Sequence, residues 1–173
     1  MLERMPKFIN NYSRPLIVLL VISLVCTGVM TFKHYSTPQN RYKIIEACDL
    51  LTPEIARKIG GQQMVAAPQI QEVKTDSTMT TFCVYRAGNK SVSLAVRSPL
   101  NQKGLDYNNE AFKNPALGGQ TVAGYGDKAF WSPTFAQFNV LKNGRWYIFS
   151  NGVNIPSQRS ANDAQKLAAQ VDF

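Results

Sequence analysis

Alternating apolar and polar residues predict a β-hairpin over residues 78–98. The alternation breaks at Gly88-Asn89, and a two-residue loop at this point pairs Cys83 with Leu94. One face of the hairpin is the more apolar, so we expect it to face the protein core. The residues on that face are Thr81, Cys83, Tyr85, Val92, Leu94 and Val96.

A second hairpin is predicted over residues 138–150, where Asn143-Gly144 separates two apolar strands. An Asn-Gly pair between apolar runs is the strongest short hairpin signal, because both residues tolerate the positive φ of a tight turn. One face pairs Val140 with Tyr147 and Phe138 with Phe149. The other face carries Leu141, Trp146 and Ile148. That face is either covered by another part of the chain or binds a partner.

Two helices are predicted, one on each side of the hairpins. Thr52 suits the N-cap of the first, Pro53 suits its first turn, and Gly60-Gly61 ends it. Its apolar stripe is formed by Leu51, Ile55 and Ile59. The last helix begins at Ser160. Its expected buried stripe contains Ala161, Ala164, Leu167, Ala168 and Val171.

This order of elements predicts an α+β fold, with an antiparallel β-sheet, a short N-terminal helix and a C-terminal helix. Residues 98–122 are expected to form a long surface loop, because Pro and Gly interrupt them repeatedly and only residues 109–112 favour a helix. Loops of this length are often functional. We therefore predict that the segment from Pro99 to Thr121 binds a partner together with Leu141, Trp146 and Ile148.

An uncharged apolar run covers residues 16–32 and predicts a single transmembrane helix over residues 15–33. Lipidation at Cys26 is an alternative, but Val25 precedes this cysteine where a small residue is needed. Cleavage of the segment is a second alternative, although no Ala-x-Ala site follows. The anchor divides the chain into a cytoplasmic tail (1–14), the anchor (15–33), a linker (34–46) and a domain (47–173).

The net charge of +8 lies mostly beside this segment, since residues 1–43 contain six Lys and Arg against one Glu. Such residues are expected near anionic lipid headgroups. No basic stripe marks the domain itself, so no nucleic-acid partner is predicted. The basic residues are equal in number on the two sides of the anchor and do not fix its orientation.

Two facts decide the orientation: the N-terminal amine adds positive charge before the anchor, and the domain carries two well-separated cysteines. The hairpin register points Cys83 inward, where the first helix would pack and bring Cys48. We therefore predict a disulfide between them, which suits an oxidising compartment. The predicted location is the cell membrane, with a single-pass anchor and the domain on the extracytoplasmic side.

The domain shows no catalytic constellation, and we predict no catalytic residue, no metal site and no cofactor. The only histidine is His34, beside the anchor, so the domain lacks a nucleophile–base pair and a histidine zinc site. Cys48 and Cys83 do not form a Cys-x-x-Cys redox motif. Asp127 lies in a Gly-Tyr-Gly-Asp-Lys segment and is interpreted as a turn residue.

Three short motifs resemble a family of small bacterial cell-envelope domains of unknown function, common among actinobacterial lipoproteins. They are Cys48-x-Leu50-Leu51-Thr52, Cys83 with Tyr85, and Gly124-Tyr125-Gly126-Asp127-Lys128-Ala129-Phe130. The resemblance covers roughly residues 46–171 and implies a disulfide between Cys48 and Cys83. It brings no activity. The poor lipidation site at Cys26 departs from the lipoprotein pattern.

Together these observations predict a membrane-anchored, extracytoplasmic, non-catalytic binding module of the bacterial cell envelope. Its expected partner is an envelope protein, a cell-wall component or a small ligand. A structural subunit of a membrane-spanning assembly, such as a secretion or conjugation machine, is the alternative. An enzyme is a third and weaker one.

Overall fold

The structure, a computed structural model, describes residues 41–67, 72–113, 119–153 and 155–173. The predicted cytoplasmic tail, the predicted anchor with Cys26, and linker residues 34–40 lie outside these ranges. Within the ranges, no helix is both long enough and apolar enough to cross a membrane. The described residues all fall in one compact unit.

The described chain consists of two runs of four antiparallel strands, with helices before, between and after them. The helices are α1 (Ala47–Leu50), α2 (Pro53–Gly60), α3 (Gln102–Ala111) and α4 (Ala161–Ala168), with a 3₁₀ turn at Pro156–Gln158. The strands are β1 (Val65–Ala66), β2 (Val73–Lys74), β3 (Thr78–Ala87), β4 (Lys90–Pro99), β5 (Gln120–Thr121), β6 (Lys128–Ser132), β7 (Gln137–Lys142) and β8 (Arg145–Val153). The α+β class predicted from the sequence is confirmed.

One antiparallel sheet contains all of these strands, in the order β1-β3-β4-β8-β7-β6-β5, with β2 beside β1 on the outer edge of β3. Both predicted hairpins are present in the predicted register. Cys83 pairs with Leu94 in the first, and Leu141 pairs with Trp146 in the second. The turn of the second hairpin has positive φ at both Asn143 (53°) and Gly144 (74°), as its dipeptide requires. The hairpins join side by side through β4 and β8.

The main core lies between one face of the sheet and the three helices α1, α2 and α4. The six residues predicted on the inner face of the first hairpin are all buried there. The two predicted helices begin as expected, because Thr52 accepts a hydrogen bond from the Ile55 amide and Ser160 accepts one from the Asp163 amide. In the stripe of α4, Ala161 is half-buried and the other four residues are buried.

The expectation of a loop throughout residues 98–122 is wrong. Helix α3 occupies Gln102–Ala111 and packs on the opposite face of the sheet. Its N-cap is Asn101, whose side chain accepts a hydrogen bond from the Gly104 amide at 3.1 Å. Strand β5 follows at Gln120–Thr121. Helix α3 therefore gives the sheet a third layer over one end of its second face.

Candidate functional site

The predicted disulfide between Cys48 and Cys83 is present and links α1 to β3. The two Cα atoms lie 5.0 Å apart. Beside it, the Thr81 hydroxyl donates to the Ile45 carbonyl at 2.8 Å and accepts from the Ala47 amide at 3.0 Å. The segment that leads into the domain is thus fixed to the sheet by a covalent bond and two hydrogen bonds.

The face of the second hairpin that carries Leu141, Trp146 and Ile148 is covered by another part of the chain, which is the first of the two alternatives given for it. Trp146 is 7% exposed and Leu141 is 3% exposed. The ring of Phe112 lies edge-on to Trp146, with centroids 5.4 Å apart, and Phe130 completes the cluster. Trp146 Nε1 donates to Asn139 Oδ1 at 2.9 Å. Only Ile148, which is half-buried, remains partly accessible. A partner-binding role for these three residues stays a prediction.

Asn108 holds α3 on this face through three hydrogen bonds. Its side-chain amide donates to the carbonyls of Gly144 (2.9 Å) and Arg97 (3.2 Å), and its Oδ1 accepts from Arg97 Nε at 2.7 Å. The Arg97 guanidinium lies over the rings of Trp146 (4.4 Å) and Tyr107 (4.8 Å). Burial lowers the pKa of Arg97 below its ordinary value, but that value is so high that the side chain stays charged at neutral pH.

A cleft of about 670 Å³ opens where α3 ends, between Phe112 and Lys113 on one side and Gly119 with residues 121–130 on the other. The rings of Phe112 and Phe130 contact each other edge to face, with centroids 4.8 Å apart. Both rings are largely buried and contribute to the cleft lining. The cleft therefore combines an aromatic lining with an exposed, polar margin.

The backbone of Gly119 lies directly on the Phe130 ring. A Cβ atom at this position would stand 2.3 Å from Cδ2 of Phe130, which is far inside contact distance. Only glycine therefore permits this approach. The contact brings the start of β5 against the aromatic lining of the cleft.

One wall of the cleft is the Gly124-Tyr125-Gly126-Asp127 loop, which the core holds in place. Tyr125 packs edge-on against Phe138, with centroids 4.8 Å apart. Both flanking glycines have positive φ, 88° at Gly124 and 52° at Gly126. Such values are costly for other residues. An anchored aromatic between two permissive residues makes a loop of defined shape.

Asp127 is a turn residue, as predicted. Its carboxylate accepts a hydrogen bond from the Asn143 amide at 2.7 Å, and its own amide donates to the Leu141 carbonyl at 2.7 Å. These bonds join the cleft wall to the turn of the second hairpin. The carboxylate therefore stabilises the turn.

The charged groups in the lining of the cleft are Lys113, Lys128 and Asp127, all exposed. Lys113 forms an ion pair with Glu110 at 2.7 Å, in which both side chains are largely solvent-exposed. Among the described residues, Lys128 has no ion-pair partner. An exposed ion pair of this kind contributes little free energy, so both ammonium groups can be offered to a ligand.

Within residues 41–67, 72–113, 119–153 and 155–173, no three His, Cys, Asp or Glu side chains gather in a way that could hold a metal ion. The only histidine of the chain, His34, lies outside these ranges. The described groups around the cleft suit binding through aromatic contact, backbone hydrogen bonds and positive charge.

Sequence reasoning missed the cleft and the Arg97 cluster, although each left a signal. Arg97 is a charged residue near the end of an otherwise apolar-alternating strand. Glycine density around β5 and in the 124–127 loop marks backbone that approaches other groups closely. Neither signal shows that β5 lies beside β6. The two strands pair over only two residues, which is too short for a recognisable pattern in the sequence.

Comparisons with known proteins identify no relative: no family model, no curated protein and no solved structure matches the chain. The resemblance to the actinobacterial envelope domains, carried by the three short motifs, therefore remains a prediction.

Proposed function

We propose that the chain is a membrane-anchored, extracytoplasmic, non-catalytic binding module of the bacterial cell envelope, and that it binds its partner in the cleft between α3 and residues 119–130. The observation that carries the proposal is the cleft itself. It has an aromatic lining, a loop wall fixed by Tyr125 and Asp127, and exposed Lys113 and Lys128 at its margin. Concave sites that combine apolar lining with a few polar groups are the usual form of a ligand site.

The disulfide supports the extracytoplasmic location. Structural disulfides persist on the oxidising side of a membrane and are rare in the cytosol. The apolar run over residues 16–32 supports the anchor, and its flanking basic residues suit anionic lipid headgroups. In this proposal the anchor keeps the domain at the membrane surface and the cleft faces the envelope.

Site-specific photocrosslinking in the native host tests the proposal. A photoreactive amino acid replaces Ala123, an exposed residue of the cleft lining, and Asn162, an exposed residue of α4, serves as the matched control. The proposal expects an adduct of defined mass from position 123 and none from position 162. Equal adducts from both positions, or none from either, would contradict cleft binding.

Extraction with mild detergent distinguishes the alternative function. A structural subunit of a secretion or conjugation machine would be extracted by mild detergent in a large and stable complex, whereas a binding module would leave the membrane as a small species. Protease added outside the cytoplasmic membrane should remove the domain. Full protection of the domain would contradict the extracytoplasmic location.

A further inference from the structure

Strand β5 is the last strand of the sheet, and its residue Thr121 lines the cleft. Among the strands that the structure describes, β5 pairs only with β6. Gly119, Gln120 and Thr121 are all exposed. An exposed edge presents unpaired backbone groups to which another extended chain can bind.

The pattern of hydrogen bonds between β5 and β6 shows which residue of β5 has outward-facing backbone groups. The Val122 amide donates to the carbonyl of Ala129, its direct partner, at 3.0 Å. In an antiparallel pair, hydrogen-bonded and non-hydrogen-bonded partners alternate. The neighbouring pair, Thr121 with Phe130, is therefore of the non-hydrogen-bonded kind. The N–H and C=O of Thr121 consequently point away from β6, toward the open edge.

The side chains beside this edge set the rest of the chemistry. Thr121 and Phe130 are directly paired and share one face of the sheet, the face covered by α3. Lys128 lies two residues from Phe130 on the same strand and projects to the same face. A chain that extends the sheet at Thr121 would therefore pass close to the aromatic lining and to an ammonium group.

We propose that the cleft takes an extended peptide segment of a partner protein, which adds as a strand to the outer edge of β5 and places an acidic side chain against Lys128. This inference rests on the proposed function and names the chemistry of its ligand. The outward N–H and C=O of Thr121 supply the backbone bonds, as in other β-strand additions. Alternate side chains of the peptide then meet the side of the cleft lined by Phe112 and Phe130.

Charge favours a foreign peptide over a second copy of this chain. Pairing β5 with β5 of a copy would bring the exposed Lys113 and Lys128 of each molecule toward those of the other. The Asp127 carboxylate is already bound to the Asn143 amide. That hydrogen bond leaves Asp127 charged, so its carboxylate repels an acidic partner. The attraction of such a partner comes from Lys128, which has no ion-pair partner among the described residues.

Binding of peptides to the full chain in detergent micelles tests the inference. Random linear peptides displayed on phage are selected on the chain, and the strongest binder is synthesised. A proline at Thr121 removes the outward N–H and keeps the bonds to β6, since proline is tolerated on edge strands when its missing donor would face solvent. Thr121→Pro should weaken binding at least about tenfold, because one or two backbone hydrogen bonds are lost. Gln120→Ala, which leaves the edge backbone intact, is the matched control and should bind like the parent.

The charge in the proposal is tested by Lys128→Gln. This variant should bind the peptide about three- to tenfold more weakly and should lose its preference for acidic peptides, as expected for one partly exposed ion pair. Equal affinity of the parent and the Lys128→Gln chain for acidic peptides would overturn the assignment of the carboxylate to Lys128.

N-methylated peptides make the test independent of how well a variant folds. Methylation of the peptide nitrogens that face β5 should abolish binding, whereas methylation of the alternate nitrogens should not. Equal effects of the two sets, or a selection that yields no binder, would overturn the inference. A photocrosslinked partner retained by the Thr121→Pro chain would also overturn it, and would leave the proposed function standing.

Discussion

The side-chain amide of Asn108 bridges two separate parts of the sheet, because it donates both to Gly144 in the turn of the second hairpin and to Arg97 in the first. Asn108 is fully buried. Replacing it with alanine leaves two carbonyl groups and Arg97 Nε without these partners. We expect Asn108→Ala to lower the free energy of unfolding by about 1 to 3 kcal/mol. Denaturant unfolding measures this, and Lys103→Ala on the exposed side of α3 should change it by less than about 0.5 kcal/mol.

Trp146 is a core residue of the α3 layer, and its removal should cost stability. Trp146→Ala creates a cavity beside Phe112 and should cost about 3 to 5 kcal/mol. The milder Trp146→Phe leaves Asn139 Oδ1 without its donor and should cost about 1 to 3 kcal/mol. Phe135→Ala is the control, because Phe135 is 50% exposed. A Trp146→Ala chain of unchanged stability would contradict this core role.

The Cys48–Cys83 disulfide closes a separation of 35 residues. On the chain-entropy model it stabilises the domain by about 3 to 4 kcal/mol. The double variant Cys48→Ala, Cys83→Ala should lose that free energy in denaturant unfolding, while Cys26→Ser should not. Thiol labelling of the unreduced, denatured chain should modify Cys26 alone. Two additional labelled thiols would contradict the disulfide and, with it, the predicted orientation.

Alanine variants of Gly124 and Gly126 distinguish backbone strain from steric overlap in the cleft wall. Both have positive φ, so either alanine variant pays a backbone strain of about 1 to 2 kcal/mol. A Cβ at Gly126 would also lie 2.6 Å from the Leu141 carbonyl oxygen, whereas one at Gly124 meets nothing within 4 Å. Gly126→Ala should therefore lower the unfolding midpoint more than Gly124→Ala. Equal unfolding midpoints would contradict this, because they would mean that the backbone at Gly126 shifts enough to accommodate the added Cβ.

We expect the buried hydroxyl of Tyr147 to make the folded protein less stable at alkaline pH. Burial raises the pKa of its hydroxyl, against a smaller opposite effect of Arg145. The unfolded chain loses this proton at about pH 10, before the folded chain does. Ionisation of Tyr147 therefore favours unfolding above that pH. Below it, the stability contributed by the protonated hydroxyl is fully present. Tyr147→Phe should shift the alkaline unfolding midpoint upward, which absorbance and circular dichroism titrations measure together. Coincident titrations of parent and variant would contradict this.

The hairpins and the capped helices could be predicted because local signals determine them. Asn143-Gly144 fixes a register by its turn geometry, and the register then decides which side chains face the core. The prediction of the disulfide followed from the inward position of Cys83. At these positions the local preference and the tertiary structure agree.

Helix α3 and the cleft could not be predicted because tertiary contacts determine them. Gly104 and a run of polar residues weaken the helical pattern over residues 102–111. Asn108 holds the helix through its bonds to Arg97 in β4 and to Gly144 in the turn of the second hairpin, and Leu105 packs against Gly144. The contacts with Gly144 join residues distant in sequence. The cleft likewise depends on a two-residue strand that has no periodicity of its own.

The junction of β4 and β8 has a consequence for the order of folding. Each hairpin is local and can form within about 1 to 10 μs. The junction must instead bring together strands from distant parts of the chain, and such pairings are slow. Until it forms, β4 and β8 each present an unpaired inner edge. Because the two edges are complementary, β4 of one molecule can pair with β8 of another. A strand-exchanged dimer is therefore the misfolded species that this topology favours at high concentration.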